Sequence, residues 1–214
     1  MFGDHDAIRA LVRFAEEEIK HQQLFWRYLE AFRRDFVHPC EVLGSAASVA
    51  QVILSKTPMA VMLVTLHLEI MTQSHFTESI RPDAELDPLF ARLLKHHWLE
   101  ECQHAKIDAL ELEKMVAMSS PDLIDKAFVD YMELIDAFDG LLTQQAAMDA
   151  KSLEVALGRS FDEEQTARIV QAQHDGYRQA FLVSGMSNPH FTKIAKGINA
   201  DGASRIAQKA ANLS

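Results

Sequence analysis

Residues 14–25 read FAEEEIKHQQLF and residues 96–105 read HHWLEECQHA. Each stretch holds a Glu-x-x-His step, Glu18 with His21 and Glu101 with His104, and His97 extends the second upstream. On a helix, His97, Glu101 and His104 fall at i, i+4 and i+7 and stack along one face. Glu18 and His21 interrupt an apolar stripe formed by Leu11, Phe14, Phe25, Tyr28 and Phe32, which turns them inward. The stripe through His97, Glu101 and His104 carries Phe90, Leu94 and Met115, with Asp108 one turn past His104. A carboxylate and an imidazole one turn apart, repeated on two facing helices, can hold a pair of metal ions inside a helical bundle. On the same wheel Glu16, Glu17, Lys20, Glu100, Gln103 and Lys106 project toward solvent, and Cys102 is expected to pack about 100° away from Glu101.

A third helix contributes Glu69 inside MAVMLVTLHLEIM, residues 59–71, on a seam with Met62, Leu66, Gln73 and Phe76. Burying a lone carboxylate costs several kcal/mol, so Glu69 is expected to be protonated, paired with an arginine, or bound to a cation. The candidate metal ligands are therefore Glu18, His21, Glu69, His97, Glu101 and His104. His67, His75 and His96 read as core, outer or surface histidines. Asp108 either accepts the second ring N–H of a ligand histidine or is a solvated helix acid. Three imidazoles and three carboxylates, with no thiolate on the seam, favour iron or manganese over structural zinc.

Composition agrees with an all-α chain. The 214 residues are 48% hydrophobic and 24% charged, enough for one domain spanning residues 1–214, and Gly and Pro together contribute only 8 and 6. A net charge of −10 excludes the basic stripe that nucleic-acid binding requires. Two cysteines, Cys40 and Cys102, make no disulfide framework, so a reducing, cytoplasmic setting is expected. The longest apolar run is broken by His67 and Glu69, which argues against a membrane span, and the N-terminus carries no signal-peptide pattern.

Proline repeatedly follows a capping residue, where its missing N–H costs nothing: Thr57-Pro58, Asp87-Pro88, Ser120-Pro121 and Asn188-Pro189. Ser160 to Glu163 reads as a capping box opening a further helix, and Gly185 as its stop. The expected long helices are 6–36, 57–80, 88–118, 121–157 and 161–184, with short ones near 45–55, 189–196 and 203–211. Ligand helices then lie within 6–118 and accessory helices within 121–214. Long helices joined by short turns pack as antiparallel neighbours, which predicts a bundle.

At these residues the chain resembles the ferritin-like di-iron carboxylate proteins, whose four successive helices carry Glu, Glu-x-x-His, Glu and Glu-x-x-His. Glu18 and His21 match the second helix, Glu69 the third, and Glu101 and His104 the fourth. His97 is similar to the additional histidine of the p-aminobenzoate N-oxygenase branch. The resemblance covers roughly residues 6–118. It implies a ferritin-like antiparallel bundle with additional C-terminal helices, two iron ions (or manganese, or a mixed pair), O₂ as co-substrate, an electron donor and a small organic substrate. It departs from the family in one place: only 17 residues precede Glu18, and the family's first glutamate helix is missing. Three explanations stand: a piece of a longer protein, a fourth carboxylate from elsewhere with Asp149 the best internal substitute, or a six-ligand site. A seam left open in this way is expected to be covered by a homodimer partner. Two other functions stay open. A heme-oxygenase-like di-metal oxidase shares the His-x-x-x-carboxylate-x-x-His helix but needs a first-helix carboxylate where Phe14 stands. A non-enzymatic iron-binding or storage protein is the other, and the long stretch beyond residue 121 favours a substrate pocket over it. The apolar surround expected for the site is Phe14, Phe25, Leu66 and Phe90.

Overall fold

The computed structural model describes residues 4–43 and 45–214, and among them every regular element is helical. The helices are α1 His5–Asp35, α2 Ala46–Leu54, α3 Pro58–His75, α4 Pro88–Ala117, α5 Pro121–Leu157, α6 Glu163–Tyr177, α7 Ser184–Met186, α8 Pro189–Ile198 and α9 Ala200–Leu213. All four proline-marked starts are N1 positions as the sequence indicates. At three of them the preceding side chain caps the helix: Asp87 accepts from the Phe90 N–H, Ser120 from Leu123 and Asn188 from His190. Thr57 does not cap. Its backbone N–H instead donates to Asp130 on α5 at 3.1 Å.

Three local expectations are corrected. The capping box of α6 is Asp162 with Gln165, not Ser160 with Glu163, because only this pair exchanges both bonds. The helices expected to run unbroken to residues 80 and 184 relax into π-helical turns, Phe76–Ile80 and Arg178–Val183. Gly185 is not a stop either. It is buried where a Cβ would fall 2.5 Å from the His67 ring, so only glycine lets α7 approach α3 this closely.

α3 is the central element. Leu63, Leu66 and Ile70 are fully or almost fully buried, in one core with Phe128, Tyr131 and Ile135 of α5 and with Phe191 and Ile206 of α8 and α9. The helices after residue 121 therefore build the core behind α3. Leu66, expected beside the site, belongs to that core. On its other side α3 runs along α4, and α4 carries α1. Glu17 meets His104 while His21 meets Glu100, so α1 and α4 are antiparallel. No helix among the described residues is long and apolar enough to cross a membrane.

His67 is locked in the core by its two ring nitrogens. Nε2 donates to the Phe181 carbonyl at 2.9 Å, which leaves Nδ1 to accept from the Tyr131 hydroxyl at 2.6 Å. Burial pushes its pKa down from 6.5 to about 4, against the Phe181 bond. Below pH 6.5 the unfolded chain takes up a proton that the folded chain refuses, so stability is present above 6.5 and falls until about pH 4. The loss is about 3 kcal/mol over that window. Urea midpoints at both ends of it should show His67→Gln losing less stability than the parent on acidification. Equal losses would place the acid sensitivity elsewhere.

Candidate metal centre

Four side chains from two helices converge. One ligand atom each from Glu18, His21, Glu101 and His104 lies within 4.8 Å of all the others, and Glu101, His21 and His104 are buried. This group can hold a metal ion. α1 supplies Glu18 and His21 from one face because they are one turn apart, and α4 supplies Glu101 and His104 in the same way.

Glu101 is the hub. Its Oε1 lies 2.5 Å from His97 Nε2 and 3.3 Å from His21 Nδ1, while its Oε2 lies 2.8 Å from His104 Nδ1. Glu18 Oε1 is 2.9 Å from His104 Nδ1 and 3.6 Å from His21 Nδ1. Glu69 reaches in from α3, with Oε1 4.0 Å from His104 Nδ1. All six expected ligands are thus brought together, including His97 and Glu69, which stand at the edge of the four-residue group. Phe14 covers the His104 ring at 4.2 Å and Phe25 the His97 ring at 5.1 Å. Phe90 does not line the site; it packs on Tyr28 at 5.2 Å.

The outer partners correct the sequence reading. Glu17 and Glu100, assigned there to solvent, hold the far nitrogens of the two Glu-x-x-His histidines. His104 Nε2–H donates to Glu17 at 2.9 Å, and His21 Nε2–H donates to Glu100 at 2.7 Å. Each helix thus orients the histidine of the other, and both imidazoles present Nδ1 inward. Lys20 Nζ clamps Glu100 at 2.5 Å, so it also lies within the assembly. Asp108 does not orient a ligand histidine. Its Oδ2 is buried without a hydrogen-bond partner, and burial raises its pKa to about 7 against the pull of His104. Asp149 lies between α5 and α6, accepting from Gln145, Gln173 and Tyr177, which accounts for both carboxylate oxygens. Cys102, expected to pack, is exposed, as is Cys40.

The electrostatics follow from this crowding. The close imidazoles of His104 and then His21 hold Glu18 down at about 2. Burial opposes charge on His104, yet Glu101, Glu18 and Glu17 together raise it to about 11. His21 is raised likewise, its burial outweighed by Glu18 and Glu100. Burial and the neighbouring Glu101 push Glu69 well above the usual carboxylate range. Glu18 Oε1, His21 Nδ1 and His97 Nδ1 are buried without a hydrogen-bond partner, although nearly all buried polar groups have one. Two of these three orphans, on Glu18 and His21, belong to the convergent group. A cation among these donors would engage both.

No family model matches this chain, and neither does any curated protein or solved structure in the comparisons made. The functional reading therefore rests on the site itself.

Proposed function

We propose that this chain is a di-iron carboxylate oxidoreductase that uses O₂ to oxidise or oxygenate a small organic molecule, with manganese or a mixed pair as the alternative occupant. The single observation that carries the proposal is the position of Glu101. One of its oxygens faces His21 and His97 and the other faces His104, so both oxygens would be available to cations held by these histidines. Glu18 and Glu69 would offset part of the remaining positive charge. An iron pair held by such donors supplies the capacity to reduce O₂ with electrons from an external donor.

The chain's own residues have separable roles in this scheme. Glu17 and Glu100 fix His104 and His21 with Nδ1 inward. Phe14 and Phe25 cover His104 and His97 and exclude water from that side. A groove of about 410 Å³ runs between α1 and α4 past Glu100, walled by Leu24, Tyr28 and Leu93 and rimmed by Lys20, Arg27 and Arg92. Its volume suits a small organic molecule beside the His21 side of the site. The exposed free thiols of Cys40 and Cys102 fit a reducing cytoplasm.

Anaerobic loading with Fe(II), elemental analysis and an oxygen electrode test the proposal together. Two irons per chain and O₂ uptake without growth of a ferric mineral are expected. Mineral growth would assign the chain to iron storage, and failure to bind iron or manganese would remove both functions.

A further inference from the structure

α1 carries a second apolar seam that its packing on α4 does not use. Ile8, Val12, Ala15, Ile19, Trp26 and Leu29 follow steps of four and three residues, with Gln22 completing the alternation. That is the spacing of a coiled-coil core. The side chains that face α4 are a different set: Phe14, Glu18, His21, Phe25 and Tyr28. The second seam is open, with Ile8 54%, Val12 63%, Ile19 57% and Trp26 61% exposed. Four large apolar residues in register along one helix are far from the scattered exposure normal for a protein surface.

We propose that this seam is an interface between two copies of the chain, paired through α1 in antiparallel orientation. Size and charge both select this occupant. With Val12 set opposite Leu29 of the second copy, Ala15 falls opposite Trp26, so the smallest residue of the seam faces the largest. The outer flank of the seam carries Arg9, Glu16, Gln23 and Glu30, all exposed. In an antiparallel pair this flank meets itself, which places Arg9 beside Glu30 of the second copy and Glu16 beside Gln23, each contact occurring twice. A parallel pair would instead set this flank against the other one, Leu11, Glu18, Phe25 and Phe32, which puts Glu16 beside Leu11 and Glu30 beside Phe25 and offers neither acid a cation. The two-fold axis passes between Ile19 and Gln22. The second copy then lies over the open side of Glu18, whose side chain is 40% exposed in the single chain. The pairing stands on α1 alone and does not rest on the metal reading.

Sedimentation of the full chain is expected to give a dimer of the 24.1 kDa protomer. Trp26→Ala should give a monomer. Arg9→Glu should weaken the dimer about tenfold, by setting like charges at two symmetric contacts, and Arg9→Glu with Glu30→Arg should restore it. Circular dichroism checks that each variant keeps its helices. A parent chain that stays monomeric at high micromolar concentration overturns the interface. So does a dimer indifferent to Trp26→Ala, and an Arg9→Glu defect that Glu30→Arg does not repair overturns the antiparallel register.

Discussion

Replacing Glu101 by alanine is expected to abolish metal binding while leaving the helices in place. Glu101 is the one carboxylate in contact with all three candidate ligand histidines, through Oε1 to His97 and His21 and through Oε2 to His104. Without it His97 loses its carboxylate partner, and only Glu18 is left within 4 Å of both His21 and His104. The loss in affinity should exceed the roughly 10–100-fold cost of removing a partner outside the ligand set. Glu101→Gln keeps the shape and one acceptor oxygen, so it should fall between alanine and the parent. Glu113→Gln, at an exposed position on the same helix, is the matched control. Metal content after exhaustive dialysis decides the matter, and a Glu101→Ala protein that retained two metals per chain would sink the ligand assignment.

Glu17→Gln and Glu100→Gln are expected to weaken metal binding by about 10–100-fold without disturbing the fold. Each substitution leaves an acceptor in place but removes the charge that holds an imidazole N–H, so the inward Nδ1 becomes a poorer donor. The two effects should differ in size. Glu100 divides its charge between His21 and Lys20, and although burial opposes ionisation, those two partners hold its pKa below the usual value. No cation shares Glu17 among the bonds of the described residues, so His104 receives its full effect and Glu17→Gln should be the more damaging change. Competition against a chelator of known affinity measures both. Parent-like affinities in the two variants would mean that the outer carboxylates are surface ion pairs worth little.

Much of the site was legible because helical periodicity is a property of a single segment. The stripes through Glu18 and His21 and through His97, Glu101 and His104 placed five donors on inward faces, and Glu69 stood out as a carboxylate in an apolar run. Glu17 and Glu100 escaped the same logic. A helical wheel places them off the seam, which is correct for each helix taken alone, but a side chain just off the seam can still reach the neighbouring helix. A signal for them was present in the repeated Glu-Glu-x-x-His, Glu17-Glu18 before His21 and Glu100-Glu101 before His104. Asp108 failed for the complementary reason: it lies on the inward stripe, yet Glu17 already holds His104 Nε2. Likewise the α6 cap could not be chosen from sequence, since Ser160 and Asp162 are both competent acceptors and only Gln165 returns a bond.

Caps, proline and 3.6-residue periodicity act within a few turns of one segment, so the helical class, most helix starts and the inward faces of the six donors can be read from the chain alone. Which nitrogen of each histidine faces the site, which carboxylate steadies it from behind, and which apolar seam of α1 stays open emerge with the packed fold. Those properties depend on the register between α1 and α4. That register is set by the packing of the helices together and is written in neither segment alone.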